Sequence, residues 1–198
     1  PELPGMEVGI GNLIRKITGR GAPQAELLKI IDHKGRSKPI LISETIKGQN
    51  LQYIIKEKPE VLKLIDKKSF SFLVIASLLT NPEDGKPDNY ILEPRVWNGQ
   101  ASYRIVCIDN DHGFVPPIVK NSFTQQITIQ MKSVLFVMDQ MHSEIDKEAR
   151  EEFLALDVDK VLEEWLNDLI LREQQHIQLF NEKERKSLLE QGKRKGMS

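Results

Sequence analysis

Residues 82–92 have the sequence PEDGKPDNYIL, and this stretch decides how the chain is interpreted. Its polar part, residues 83–89, is too rich in turn-forming residues for a helix or a strand. The preceding segment, Ser69 to Thr80, is apolar nearly all round, which predicts a buried helix. The following residues, Tyr90 to Leu92, are strand-like. The pattern therefore predicts a polar loop between a buried helix and a short strand.

A β-hairpin is predicted next, with Asn98-Gly99 as its two-residue turn and Tyr103 to Ile108 as its return strand. Antiparallel strands bring the start of one strand beside the end of the other, so Asp84 and Asn89 should lie near Asp109. Oxygen ligands of this kind suit Mg²⁺ shared with substrate phosphates. We therefore expect these oxygen-bearing groups to converge, and Asp84, if it lies a few ångströms further out, could accept or orient the proton of an attacking hydroxyl.

The spacing in this loop resembles the catalytic loop of the protein-kinase superfamily. In that loop an Asp is followed by four residues, an Asn and an apolar strand, as Asp84 and Asn89 are here. Lys86 has the position of a lysine in Ser/Thr protein kinases, and Ile108-Asp109 is similar to the start of the D-F-G motif. The full pattern over residues 84–89 is more similar to phosphatidylinositol 3-/4-kinases and atypical relatives such as actin-fragmin kinase.

The resemblance implies an ATP-dependent phosphotransferase that acts on a lipid or protein hydroxyl, with ATP and Mg²⁺ as cofactors. It makes Asp84 and Lys86 the catalytic residues, with Lys86 neutralising the migrating phosphoryl group. It makes Asn89 and Asp109 the metal ligands. Positioning and electrostatics would supply most of the catalysis in such a site.

The implied fold class is α+β and mostly helical. The resemblance predicts a kinase-like C-lobe over residues 48–198, in which a small β-hairpin carries the active-site loops. Residues 1–47 are predicted to form a partial N-lobe and a linker strand. Backbone groups around Glu44, Thr45 and Ile46 would bind the adenine.

Other features depart from the pattern of a conventional protein kinase. Asp84 lacks a preceding His-Arg, no Gly follows Asp109-Asn110, and no Ala-Pro-Glu closes an activation segment. The first forty residues lack a clear Gly-rich loop followed by a strand lysine. We expect them to be irregular apart from a helix over Gln24 to Ile31. Glu26 on that helix is a candidate for the glutamate that pairs with the nucleotide-binding lysine of kinases. Either the N-lobe lies upstream of Pro1, or Lys16 supplies the nucleotide-binding lysine from an unusual place. We prefer the first interpretation, in which the chain is a fragment.

The competing interpretation is a non-catalytic pseudokinase or a helical protein-interaction domain. From Ser122 onward the apolar spacing predicts helices to the end of the chain. One helical face would run from Ile127 to Met138, and a later helix would begin after Asp157 as its N-cap. An EF-hand at Asp109 is excluded, because the twelfth position of that loop, which needs a carboxylate, is Lys120.

Composition restricts the partners further. The 198 residues carry 28 Lys+Arg and 29 Asp+Glu, a balance that argues against a nucleic-acid partner. The single cysteine, Cys107, cannot form an internal disulfide and favours a reducing compartment, for which we expect the cytoplasm. The apolar run from Phe70 to Leu79 is shorter than the roughly 20 residues needed to cross a bilayer. A peripheral membrane contact would depend on local cations such as Lys120 or those at 193–195.

Overall fold

The structure is a computed structural model that describes residues 3–97, 99–120, 123 and 125–193. About half of the chain is helical and about one fifth is in small antiparallel sheets, which confirms the predicted α+β class. Among the described residues, no helix combines the length and the apolar character that a membrane span requires. The division into two lobes near residue 47 stays a prediction.

The α-helices, in chain order, are α1 (Pro4–Thr18), α2 (Leu51–Glu57), α3 (Lys67–Thr80), α4 (Lys147–Leu154), α5 (Val158–Leu179) and α6 (Glu182–Lys193). The strands are β1 (Ala25–Ile31), β2 (Ser37–Ser43), β3 (Gln49–Asn50), β4 (Tyr90–Trp97), β5 (Gln100–Cys107), β6 (Ile118–Lys120) and β7 (Ile127–Ile129). Short 3-10 helices lie at Pro59–Leu64, Pro87–Asn89, Val134–Val137 and Asp139–His142. Strand β1 pairs with β2, β4 pairs with β3 and β5, and β6 pairs with β7.

The first helix, α1, contradicts the expected irregular N-terminus. Its apolar residues recur at helical spacing and are buried: Val8, Ile10, Leu13, Ile14 and Ile17. Pro4 stands in its first turn and Gly19, with φ of 73°, ends it by donating its N–H to the Arg15 carbonyl. The glycines of this segment suggested an irregular structure, but Gly9 lies within the helix and allows α5 to pack closely against it. A Cβ there would lie 3.1 Å from Leu169 Cδ2 on α5.

The helix predicted over Gln24 to Ile31 is also wrong, because this segment forms strand β1. Ala25 pairs with Ser43 and Ile31 pairs with Ser37, so the whole segment is in a ladder with β2. Ala25 and Leu27 are buried and Glu26 between them is exposed, which is the alternation of a strand. Glu26 therefore does not lie on a helix beside the active-site loop.

Helix α3 forms the centre of the core, as its apolar sequence predicts. It begins after Asp66, whose side chain accepts a hydrogen bond from Ser69 N at 2.7 Å, and ends at Asn81 in the left-handed conformation. It packs against α1 and β5. The core cluster includes Ile10, Ile14, Leu51, Ile54, Phe70, Leu73, Tyr90, Leu92, Ile105 and Leu135.

Helix α2 begins after Asn50, whose side chain caps it. The Asn50 side-chain oxygen accepts a hydrogen bond from Gln52 N at 2.8 Å, and its amide nitrogen donates to the Asp88 carbonyl at 2.7 Å. Pro59 begins a 3-10 helix. The predicted β4–β5 hairpin is also present, with Trp97 paired to Gln100 and Gly99 at φ of 75°. Its other turn residue, Asn98, lies outside the described residues.

The long helix expected from Ser122 is wrong up to residue 142. Ile127 lies in strand β7, and Val134 and Leu135 lie in a 3-10 helix. Apolar β-branched residues at alternating positions 127 and 129 suit a strand, and the pairing with β6 stabilises that choice. From Lys147 onward the helices are present, and Asp157 caps α5 by accepting from Lys160 N at 3.0 Å. Residues 121, 122, 124 and 194–198 lie outside the described residues.

Helix α5 packs along α1 and joins the last part of the chain to the first. The indole nitrogen of Trp165 donates to the Gly9 carbonyl at 2.8 Å. The Lys16 ammonium lies 3.3 Å from both the Glu164 and the Asp168 carboxylates. These contacts hold α1 against α5.

The core position of α3 generates a stability prediction. Leu73 is 1% exposed, whereas Leu79 on the same helix is 50% exposed. We expect Leu73→Ala to lower the free energy of unfolding by about 2–5 kcal/mol, because it leaves a cavity between α1 and β5. Leu79→Ala should cost less than about 1 kcal/mol. Urea denaturation followed by circular dichroism measures both, and equal effects of the two changes would contradict the assignment of the core.

Candidate functional site

The polar loop at residues 82–89 is anchored on the segment that follows β7. Gly85 N donates to the Lys132 carbonyl at 2.9 Å, and Val134 N donates to the Gly85 carbonyl at 2.7 Å. A Cβ at Gly85 would lie inside contact distance of the Lys132 carbonyl oxygen and of Ser133 Cα. Only glycine therefore allows the two backbone segments to approach this closely.

The pairing of β4 with β5 brings Asn89 beside Asp109. Tyr90 pairs with Cys107, and Ile108 N donates to the Asn89 carbonyl at 2.8 Å. Asn89 is buried, and its amide nitrogen donates to the Asp84 carbonyl at 2.6 Å. The antiparallel geometry thus brings together the three residues that the hairpin was expected to join.

These residues line one polar cavity of about 320 Å³. Its lining consists of Pro82, Asp84, Lys86, Asn89, Asp109, Asp111 and His112. A larger cavity of about 670 Å³ lies between α1, α5 and α6 and is mostly apolar. We take the smaller cavity as the candidate site, because the ionisable groups converge there.

Lys86 is the cation at the mouth of the cavity. Its ammonium lies 2.7 Å from an Asp84 carboxylate oxygen and 3.9 Å from an Asp88 carboxylate oxygen. The hydrogen bond and charge of Asp84 raise the pKa of Lys86. About half of each side chain in the Lys86–Asp84 pair is exposed to solvent, so the pair lies where a substrate can reach it.

Asp109 lies deeper, directly after β5, with a left-handed backbone at φ of 61°. Asp is one of the few residues that adopt this conformation readily. Burial and then the Asp111 carboxylate raise the pKa of Asp109, while the Lys86 ammonium opposes the rise. Asp111 is itself buried, and its carboxylate accepts a hydrogen bond from Leu3 N at 2.9 Å. The cavity therefore concentrates negative charge that a cation would neutralise.

Glu7 is a buried residue of this region that the sequence interpretation missed. Its carboxylate accepts a hydrogen bond from Asn110 N, and the Asn110 side-chain nitrogen lies 3.5 Å from its second oxygen. Burial, with smaller contributions from Asp109 and Asp111, raises the pKa of Glu7 from 4.5 to about 7. The sequence feature that could have identified Glu7 is its helical spacing, because Gly11 and Ile14 follow it by one and two turns on the buried face of α1.

The segment after Asp111 closes the cavity by pairing with the end of α3. Glu83 N donates to the His112 carbonyl at 2.7 Å, and the His112 ring lies 3.8 Å from the carboxylates of Glu83 and Asp111. Further along, Asn81 Nδ2 donates to the Val115 carbonyl at 2.6 Å, and Val115 N donates to the Asn81 carbonyl at 3.2 Å. Both loops of the site are therefore fixed to one helix end.

The predicted adenine-binding residues lie apart from the lining of this cavity. Glu44 follows β2, and its carboxylate lies 2.6 Å from Arg20 Nη2. Its backbone N–H donates to the Gln24 carbonyl at 2.8 Å. Thr45 is exposed and Ile46 is buried. The nucleotide role of these three residues stays a prediction.

The donor set of the cavity fits Mg²⁺ when the metal is shared with phosphates. Among the described residues, no group of three or more His, Cys, Asp or Glu side chains is arranged to hold a metal ion by itself. The Asn89 amide nitrogen is engaged by the Asp84 carbonyl, so its oxygen is the atom left to act as a ligand. With a carboxylate from Asp109, this gives two oxygen ligands. Mg²⁺ commonly takes one or two protein ligands and completes its shell with water and substrate phosphates.

Comparison with known proteins does not assign a family. No protein-family model matches the chain, and a search of curated proteins finds no significant match. The function is therefore inferred from the geometry of the cavity.

The raised pKa of Glu7 generates a prediction about pH. The folded state holds the proton of Glu7 more tightly than the unfolded state, so this group lowers the stability as pH rises from about 4.5 to about 7. We expect Glu7→Gln to remove this loss, and the variant should gain up to about 3 kcal/mol relative to the native chain between pH 4.5 and 8.

Urea denaturation at a series of pH values measures this difference. Glu26→Gln, at an exposed carboxyl on β1, is the matched control and should follow the native chain at each pH. A constant difference between Glu7→Gln and the native chain across that range would contradict the buried, protonated state of Glu7.

Proposed function

We propose that the chain is an ATP-dependent phosphotransferase of the protein-kinase-like superfamily, transferring a phosphoryl group to a lipid or protein hydroxyl. The observation that supports this most is the convergence of Asp84, Lys86, Asn89 and Asp109 on one cavity. The four residue types match the roles that phosphoryl transfer needs: a proton acceptor, a cation and two metal ligands.

Asn89 and Asp109 would hold Mg²⁺, which when bound neutralises phosphate charge and orients the nucleotide. Asp84 stands at the mouth, half exposed, where an incoming hydroxyl can reach it. In the transfer, the hydroxyl oxygen forms a bond to the γ-phosphorus, the bond from that phosphorus to the ADP oxygen breaks, and Asp84 accepts the hydroxyl proton. Lys86 stabilises the negative charge of the migrating group.

Glu7 acts on this site as a positioning residue. Its carboxylate binds the backbone of Asn110, the residue after Asp109, and so restrains the loop that carries a metal ligand. Helix α1 would thereby occupy the place of the kinase helix for which the sequence interpretation proposed Glu26. We also propose a reducing compartment, such as the cytoplasm, because the one cysteine of the chain, Cys107, is a free thiol.

One observation favours a pseudokinase as the second candidate. The Glu44 N–H, one of the groups expected to bind adenine, already donates to the Gln24 carbonyl. A pseudokinase would have the same cavity and transfer no phosphoryl group, so it is compatible with a Glu44 N–H that is already bonded.

The metal assignment predicts a loss of nucleotide binding. We expect Mg²⁺·ATP to raise the melting temperature of the native chain, and Asp109→Ala to abolish both this shift and phosphoryl transfer while the circular dichroism spectrum stays native. The matched control is Asp88→Asn, because Asp88 lies in the same loop outside the cavity lining. A normal Mg²⁺-dependent shift in Asp109→Ala would contradict the assignment of this ligand.

The role of Asp84 as the proton acceptor predicts a different defect. Asp84→Asn should keep the Mg²⁺·ATP shift in melting temperature but lower turnover by roughly 10²–10⁴-fold. Turnover is measured as release of ADP in the presence of phosphatidylinositol vesicles or of a mixed peptide library. A native chain that binds Mg²⁺·ATP without turnover on either acceptor would favour the pseudokinase. Loss of nucleotide binding in Asp84→Asn would mean that Asp84 is structural.

A further inference from the structure

The β6–β7 hairpin projects from the rim of the candidate site. It starts after Val115, whose N–H is bonded to the Asn81 carbonyl, and it returns at Lys132, whose carbonyl accepts from Gly85 N. Gln130 N donates to the Pro117 carbonyl at 2.7 Å, which extends the hydrogen-bonded ladder by one residue at the end away from the turn. Both ends of the hairpin are therefore fixed to the loops that line the acidic cavity.

One face of this hairpin is apolar and exposed. Ile118 pairs with Ile129 and Lys120 pairs with Ile127, so these four side chains share a face. The exposed fractions are 64% for Ile118, 68% for Ile127 and 74% for Ile129. A two-stranded ribbon is marginally stable in water unless something covers such a face. At the tip, Phe123 is 95% exposed.

The charge of this region differs from that of the rest of the chain. From His112 to Met138 the sequence contains no Asp or Glu, although the chain has 29 acidic residues. Lys120 and Lys132 lie within the same span. The surface beside the acidic cavity is therefore apolar and cationic, a combination that is attracted to anionic lipid headgroups and to the acyl layer below them.

We propose that the β6–β7 hairpin docks the protein on an anionic lipid bilayer. The isoleucine face and Phe123 enter the boundary between headgroups and acyl chains, and Lys120 contacts the lipid phosphates. Because the hairpin is fixed to the rim of the site, the docked protein presents Asp84 and Asp109 to the membrane surface. A lipid hydroxyl as the phosphoryl acceptor follows only if the proposed function also holds, whereas the docking itself does not depend on catalysis.

The test is co-sedimentation of the full chain, without nucleotide, with vesicles of phosphatidylcholine alone and of phosphatidylcholine mixed with phosphatidylserine. We expect the protein to bind the mixed vesicles more tightly. Ile129→Asp should weaken that binding at least about tenfold, because it removes roughly 1.5–3 kcal/mol of apolar transfer. Lys120→Ala should weaken it about fivefold on the mixed vesicles only, because one cation near an anionic surface is worth about 1 kcal/mol.

The matched control is Ile31→Asp, since Ile31 on β1 is 69% exposed and lies outside the hairpin. It should bind vesicles as the native chain does, and all three variants should keep the native melting temperature because the changed side chains are exposed. Equal losses in Ile31→Asp and Ile129→Asp, or no binding of the native chain to either vesicle, would overturn the proposal.

Two further outcomes separate this proposal from others. Asp109→Ala should still bind the mixed vesicles, so failure of the phosphotransferase assays and failure of docking are distinguishable. Sedimentation velocity without vesicles should show a monomer. A dimer that Ile129→Asp dissociates would assign the apolar face to a second copy of the chain and would overturn the lipid proposal.

Discussion

The register of β4 against β5 is the constraint on which the candidate site depends. It places Asn89 and Asp109 at the same end of the hairpin, one before the first strand and one after the second. A slip by one residue would turn the side chains of either strand to the opposite face. Tyr90 opposes such a slip, because it is buried and its hydroxyl lies 2.9 Å from Ser133 Oγ, next to the backbone that anchors Gly85. One buried tyrosine thus connects the hairpin register to the position of the polar loop.

The electrostatics of the cavity follow from this geometry. Asp109 and Asp111 come close together, and the Glu7 carboxyl lies behind them. Burial, together with the neighbouring carboxylates, raises the pKa of Asp109 and that of Glu7. Lys86 pairs with Asp84 at the mouth, and from there it also opposes the rise in the pKa of Asp109. A cluster of carboxyls with one lysine in a single cavity is typical of a site that binds a cation together with an anionic ligand.

Local signals in the sequence predict the centre of the fold but not its edges. Helix α3, the polar loop and the β4–β5 hairpin each carry their own start and stop residues, so they could be identified before any packing was known. Residues 25–31 form a strand because they pair with β2, and their own sequence does not show this. The spacing of apolar residues from Ile127 onward fits a helix as well as a strand. Glu7 was missed because it lies on α1, a helix that the glycines of this segment concealed; the role of one of them, Gly9, is explained by the close approach of Leu169 on α5.

Helix α1 lies between the site and the C-terminal half of the chain. On one side Glu7 binds Asn110, and on the other Trp165 of α5 donates to the Gly9 carbonyl. Segments that share such contacts tend to open together, as one cooperative unit with a common free energy of local unfolding. The amide hydrogens of α1 and those around Asn110 would then exchange with solvent at linked rates. A molecule that binds α5 at this contact would act on the cavity from a distance, by changing how often the unit opens.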